Sequence, residues 1–253
     1  MGADEHIFIS DVHLGAFSDQ KNAQIENELV ALIEYAIHKK TRLYVLGDLF
    51  DYWMEFPGSQ TIPQIGKKAL AAFFEYNRTV CPALFITGNH DNWTLGYFEE
   101  LGFKVEADFC VVEIDTIKTL LLHGDGTFDN NGLFLRGLLH RILRNESFLK
   151  IYRWILPPKL GIFMMNAFSS FSKLLERSDP IPLSKNAAWA SEHLGVKAVL
   201  CGHDHLPRTE HLAHGLYINT GTFFHHKTVG RYVNGEFELV TWKSSTKEFA
   251  PFS

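Results

Sequence analysis

Short apolar runs alternate with longer amphipathic stretches along this chain. His6–Ser10, Leu43–Leu46, Ala83–Thr87, Thr119–Leu122, Ala198–Cys201 and Leu216–Asn219 are runs of four or five residues and read as buried strands. Between the first two, Ile25, Leu29, Leu32, Ile33, Ala36 and Ile37 recur at helical spacing and predict a helix over Asn22–Lys40. Pro63–Arg78 and Leu183–Leu194 also read as helices. Strand, helix and strand in succession imply parallel strands joined by helical crossovers. From Tyr217 to Trp242 the alternation changes to that of antiparallel hairpins, with a turn at Asn234-Gly235. The pattern predicts an α/β chain with mixed sheets covered by helices.

One segment breaks the pattern. Phe128–Arg177 reads as helical, interrupted at Pro157-Pro158, and is rich in large apolar side chains such as Phe148, Trp154, Phe163 and Met164. It also carries eight Lys/Arg against three acids, an excess of five positive charges, so the rest of the chain bears ten negative ones within a total of −5. Two readings stay open at this point: a helical subdomain with a solvated basic face, or a cap that receives an anionic, apolar ligand.

Composition narrows the function classes. With 46% hydrophobic and 21% charged residues over 253 positions, the chain is expected to form one globular domain, residues 1–253, with 128–177 as an insert. The acidic remainder argues against nucleic acid as partner. Cys81, Cys110 and Cys201 are scattered and odd in number, which suits a reducing, cytoplasmic setting rather than a disulfide framework. The N-terminus is acidic and unlike a signal peptide, and no apolar run reaches the length of a membrane span.

The chemistry sits where the strands end. The first run ends in Ser10-Asp11-Val12-His13, the second in Gly47-Asp48, and the third in Gly88-Asn89-His90-Asp91. The fourth ends in His123-Gly124-Asp125 and the fifth in Gly202-His203-Asp204-His205. Each residue alone has an ordinary explanation: Asp caps helices, Asn89 suits a left-handed turn, and a lone His123 suits a core. Five strand ends carrying such groups together do not. In open α/β sheets these ends border the ligand crevice. Alternate residues of an extended chain share a side, so His203 and His205 can face one point. Imidazole, carboxylate and amide oxygen without thiolate form a mixed N/O set for ions such as Mn, Fe, Zn, Co or Ni. Seven such groups are too many for one open site and suit two ions sharing a carboxylate, for which Asp48 stands alone.

The ordered motifs DxH, GD, GNHD, HGD and GHxH, spanning Asp11 to His205, resemble the calcineurin-like metallophosphoesterases. That resemblance implies a four-layer αββα sandwich of two mixed sheets flanked by helices, with a dinuclear site at the strand ends. It implies that Asp11, His13, Asp48 and His205 hold one divalent ion and that Asp48, Asn89, His123 and His203 hold the other. Manganese is the first expectation and iron or zinc the alternatives. His90 is then expected to protonate or stabilise the leaving oxygen, with Asp91 orienting it. Asp11–Gly15, Gly47–Trp53 and the insert after Asp125 are most similar to family members that cleave a lipid-linked nucleotide, whose cap houses acyl chains. Those members carry Arg where this chain has His90. Arg136, Arg141, Lys173, Arg177 and Asn89 are the expected substrate contacts, and the insert is expected to touch the inner face of the inner membrane peripherally. A hydrolase of another phospholipid, nucleotide or phosphoprotein, and a non-catalytic scaffold on the same fold, are the rival expectations. Oligomeric state is not legible.

Overall fold

The computed structural model describes residues 5–56, 65–128, 132–136, 138–165 and 183–252 of the chain. Three strands at the start of the chain form the centre of the first sheet: β1 (His6–Ile9), β2 (Arg42–Leu46) and β3 (Leu84–Ile86), paired in parallel. The helices Asp19–Lys39 and Lys67–Thr79 make the crossovers. The first of these starts earlier than the apolar spacing suggests because Ser18 caps it, its Oγ accepting from Lys21 N. It ends at Lys40, whose backbone is left-handed.

The parallel pairing continues to β4 (Lys104–Glu106), which the sequence pattern does not reveal because its residues are half-exposed at the sheet edge. On the other side β1 pairs antiparallel with a C-terminal meander. With strands numbered in chain order, the meander comprises β12 (Thr228–Val233), β13 (Glu236–Lys243) and β14 (Glu248–Pro251). The expected Asn234-Gly235 turn joins β12 to β13 with both residues at positive φ, 54° and 88°. The seven-stranded order is β14-β13-β12-β1-β2-β3-β4.

A second, five-stranded mixed sheet packs against the first. It comprises β5 (Phe109–Ile114), β6 (Ile117–Leu122), β9 (Ala198–Cys201), β10 (Arg208–His211) and β11 (Leu216–Asn219), ordered β10-β11-β9-β6-β5. Period-two alternation builds the layers. Ile7 and Ile9 face the two crossover helices with Leu43, Val45 and Phe85. Phe8, Tyr44, Leu46 and Ile86 face the second sheet, where Leu121, Leu200 and Ile218 meet them. On the far face Leu120, Leu122, Val199 and Tyr217 pack on the helix Leu183–His193. Helix, sheet, sheet and helix are the four layers the resemblance implies. The strands read as continuous apolar runs because both faces are covered.

The insert departs from its expected form at its start. Instead of a helix from Phe128, the chain forms a small hairpin of β7 (Gly126–Phe128) and β8 (Phe134–Arg136). Phe128 stands across from Phe134, and both pack with Phe109, which rewards an extended backbone there. Helices Leu138–Leu143 and Glu146–Ile155 follow, then a helical stretch at 158–165. The interruption falls at Pro157-Pro158 as expected. Leu156 is extended, as a residue before proline must be, and Pro157 O opens the next turn by accepting Gly161 N–H. The inner side of these helices forms a cluster of its own: Phe148, Leu149, Tyr152 and Met165 lie on Met54, Phe56 and Trp93. Phe168 and Phe171, with Lys173 and Arg177, lie outside the described residues. Among the described residues no helix is long and apolar enough to cross a membrane.

One buried contact fixes how the second crossover helix meets the first sheet. Tyr76 is fully buried, its hydroxyl donating to Thr41 O at 2.8 Å and accepting from Leu43 N at 2.9 Å. Tyr76→Phe strands both backbone groups and is expected to cost about 1–3 kcal/mol, read as a lower midpoint in urea without a change in slope.

Candidate metal centre

The C-terminal ends of β1, β2 and β3 lie side by side in one sheet, and those of β6 and β9 lie side by side in the other. The loops leaving them interlock: Asp11 N donates to Gly47 O, Val12 N and His13 N to Asp48 O, and Gly202 N to His123 O. All seven donors expected from the sequence come together at this rim.

Asp48 stands at the centre with 2% exposure. Its Oδ1 accepts the His90 backbone N–H at 3.0 Å. Its Oδ2 faces His13 Nε2 at 3.7 Å on one side and His123 Nε2 at 3.3 Å on the other. On the first side His13 Nε2 stands 3.2 Å from His205 Nε2, and Asp11 Oδ1 lies 3.7 Å from His13 Nε2 and 3.2 Å from His205 Nε2. On the second side Asn89 Oδ1 is 3.0 Å from His123 Nε2 and 3.2 Å from His203 Nδ1, with the two imidazole nitrogens 3.3 Å apart. Donors about 2.1 Å from one ion stand roughly 3.0–3.4 Å apart at octahedral to tetrahedral angles, close to these spacings.

Two further observations fit cations here. Asp11 Oδ1 is buried without a hydrogen-bond partner, although Oδ2 accepts from Ser10 Oγ and from His203 N. An acceptor without a hydrogen bond in a buried site, facing two imidazole nitrogens, is placed to meet a cation together with them. The imidazoles are also held in the tautomer that ligation needs. His123 Nδ1 meets Leu46 O at 2.8 Å, and a carbonyl can only accept, so Nδ1 carries the proton and Nε2 is left for an ion. His13 Nδ1 faces Asp51 Oδ1 at 3.4 Å in the same sense.

The backbone yields to bring these groups together. Asp11, His13, Asp48, His203 and His205 all have φ between 48° and 76°, the left-handed region, while Asn89, the residue suited to it, does not. Gly88 and Gly202 make the approach possible: a Cβ on Gly88 would overlap Asp48 Oδ1, and one on Gly202 would overlap Asp11 Oδ2.

Two site residues differ from expectation in what they touch. Asp91 does not face His90. Its Oδ1 accepts Gly88 N–H and its Oδ2 accepts Leu49 N–H, both at 2.7 Å, so this fully buried carboxylate ties the β3 loop to the β2 loop. Burial and the nearby Asp48 charge push it up to about 7. The group beside His90 is Asp51, whose carbonyl accepts from Nδ1 at 2.6 Å. Arg136 turns inward to Asp125, Asp108 and Ala107 O. Arg141 is exposed on the helix Leu138–Leu143. Residues that sequence reading passes over include Ser10 and Thr220, hydrogen-bonded behind Asp11, and Phe224, edge-on to His13 and His205. Thr220 was signalled: β11 also ends in polar residues, Asn219-Thr220-Gly221, at the same rim.

Residues 7–207 match the Calcineurin-like phosphoesterase family, and the chain belongs to it. It is 33% identical over 161 residues to a UDP-2,3-diacylglucosamine hydrolase of Porphyromonas gingivalis, covering 61% of this chain and 60% of that protein, less than two thirds of its length. Proteins of the same name from Neisseria meningitidis and Edwardsiella ictaluri are 24% and 29% identical, each over 82% of this chain and over 83% and 78% of theirs. Membership of this family makes the chain a metal-dependent hydrolase.

Electrostatics set how ions enter. Burial opposes charge on His13, but Asp11 and Asp51 prevail and raise it to about 10 in the metal-free chain. Burial likewise opposes His123, and Asp48 carries it to about 10. Burial and the charge of His123 hold His203 down to about 4. Burial works against the Asp11 and Asp48 carboxylates too, yet their histidine partners keep both well below the usual range. An ion held at either cluster would displace a proton from His13 or from His123, while His203 has none to lose. Raising the pH removes the competing proton, so affinity at each position is expected to rise about tenfold per pH unit between pH 6 and 9. Calorimetric titration with Mn²⁺ in buffers of different ionisation enthalpy counts the protons released; binding without proton release would contradict this account.

Proposed function

We propose that the chain hydrolyses UDP-2,3-diacylglucosamine to UMP and 2,3-diacylglucosamine 1-phosphate, using two ions held at the positions described above, with manganese first. The observation that carries the reading is the convergence of seven N/O donors on one shared carboxylate oxygen, in a chain similar to proteins bearing that name. Bound divalent ions supply Lewis acidity toward phosphoryl oxygens and a nucleophile from water at neutral pH.

The chain's own residues do the rest. Asp11, His13, Asp48 and His205 form one donor set and Asp48, Asn89, His123 and His203 the other. His90 stands edge-on to His13 at the rim of the first donor set, with Nδ1 donating to Asp51 O. As the P–O bond of the diphosphate breaks and water's oxygen joins phosphorus, His90 delivers a proton to the departing phosphate oxygen. Phe224 walls the first position on the His13 and His205 side.

The insert supplies the surface for a lipid. Its inner face is filled by contacts with Met54, Phe56 and Trp93, and it also exposes large apolar side chains: Trp154 is 86% exposed, and Ile151, Ile155, Phe163 and Met164 are exposed as well. Arg141, Lys150 and Lys159 of the insert are exposed too. Apolar and basic side chains exposed on one insert suit peripheral contact with an anionic membrane, here the inner face of the inner membrane, from which the substrate's acyl chains would be drawn. Asn89, Arg141, Lys173 and Arg177 remain the proposed substrate contacts, and Arg136 joins them only by releasing its present partners. His90, standing where the lipid-nucleotide members carry Arg, favours a second reading in which another lipid phosphoester is cleaved by the same chemistry.

Acyl chains decide between the two. Each buried methylene contributes about 0.8 kcal/mol, so UDP-2,3-diacylglucosamine should exceed UDP-glucosamine by orders of magnitude in kcat/KM, followed as UMP release. No UMP from either compound, with simple phosphodiesters cleaved, supports the second reading. Trp154→Glu should lower turnover of vesicle-borne substrate while sparing a short-chain soluble analogue.

His90→Ala is expected to lower kcat about 10²–10⁴-fold on esters with poor leaving groups and far less on activated aryl phosphates, which need no proton. Metal content should stay at the wild-type level. Equal losses on both ester types would remove the proton-donor role.

A further inference from the structure

Arg144 ties the insert to the metal centre. Arg144 follows the helix Leu138–Leu143, and its side chain, 10% exposed, reaches the seam where the two sheets' strand ends meet. Nη1 donates to Thr87 Oγ1 at 3.0 Å and to Ala107 O at 2.7 Å. Nη2 donates to Thr87 O at 3.1 Å, Gly88 O at 2.8 Å and Asp125 Oδ2 at 2.9 Å.

The acceptors are unusual in where they lie. Thr87 and Gly88 immediately precede Asn89 at the end of β3. Asp125, whose side chain is fully buried, follows His123 by two residues at the end of β6. The guanidinium therefore joins strand ends from different sheets, and their tips carry two of the four donors of the second position. Asn89 Oδ1 and His123 Nε2 must stand near each other to share an ion, and they are 3.0 Å apart. None of Asp11, His13 and His205 is hydrogen-bonded to Arg144 in the described contacts. Arg136 shares Asp125, but its other donors go to Asp108 and Ala107 O and none to Thr87 or Gly88. A planar fork with several N–H groups can hold both ends at once; a lysine nitrogen cannot.

We propose that Arg144 is a positioning residue that holds Asn89 and His123 at donor spacing, so that the second ion position depends on the seating of the insert. This rests on the two-position assignment made under Proposed function. The full chain, freed of metal, is titrated with Mn²⁺ by calorimetry and by electron paramagnetic resonance. Wild type should bind in two steps and end in an exchange-coupled ion pair; a single step would overturn the two-position assignment and this inference with it. Given two steps, Arg144→Gln should leave the first within about twofold and weaken the second about 10–100-fold, the usual effect of removing a group that orients metal ligands. The resonance spectrum at one equivalent should be unchanged, and at two equivalents should show isolated ions. An unchanged second step, or equal weakening of both, overturns the positioning role. Thr87→Val removes one acceptor from the same fork without changing side-chain size. It should weaken the second step alone by several-fold, which keeps the inference open to refutation if Arg144→Gln does not fold.

Discussion

The centre is organised by one shared oxygen. Asp48 Oδ2 lies between the imidazoles of His13 and His123 while its other oxygen is held by the His90 backbone. A carboxylate this deeply buried is stable only when fully partnered. The surrounding loops are shaped to that end. Gly88 leaves room for its oxygen, the Asp48 carbonyl accepts two amides of the β1 loop, and Asp91 locks the β2 and β3 loops together beneath it. Five non-glycine residues in left-handed backbone cost about 1–3 kcal/mol each. Such a cost persists only where surrounding contacts over-determine the conformation, and here interlocked backbone hydrogen bonds and buried side chains do so.

The insert stands in a double relation to that centre. Its inner face closes a separate small core with Met54, Phe56 and Trp93, so part of the apolar composition noted in the sequence is consumed by packing. Its cations divide in the same way. Arg136 and Arg144 point inward and neutralise Asp125, while Arg141, Lys150 and Lys159 remain on the surface. The composition that left a helical subdomain and a ligand cap both open is divided between attachment below and exposed apolar and basic side chains above.

Much of this was legible in the sequence for a local reason. Strands buried on both faces read as short apolar runs, and each donor lies within a few residues of the end of such a run. The paired helices, the β12–β13 turn and the break at Pro157-Pro158 follow from equally local rules. What was not legible depends on contacts across the fold. Asp91 sits beside His90 in the chain yet faces backbone amides. The role of Arg144 is visible only once β3 and β6 stand side by side in space. β4 and β5 carry no clear periodicity because they are edge strands, and the β7–β8 hairpin forms through aromatic contacts with Phe109 and Trp189 that no window of the chain contains. Left-handed backbone at Asp11, His13, Asp48, His203 and His205 follows from the contacts that hold those loops, which no single window of the chain contains.

In the proposed assignment each ion position draws donors from both sheets: the first adds His205 of the second sheet to Asp11, His13 and Asp48, and the second pairs Asp48 and Asn89 with His123 and His203. A chain emerging from the ribosome thus exposes Asp11, His13 and Asp48 early, while His205 is synthesised only about four fifths of the way along. Neither position is complete until the sheets dock, and docking is a non-local event of the kind that slows folding. Ions that bind only the docked state pull the assembly equilibrium forward without acting on the earlier intermediates. With that assignment a partly made chain lacks a complete donor set, so acquisition of the ions would double as a checkpoint on completed folding.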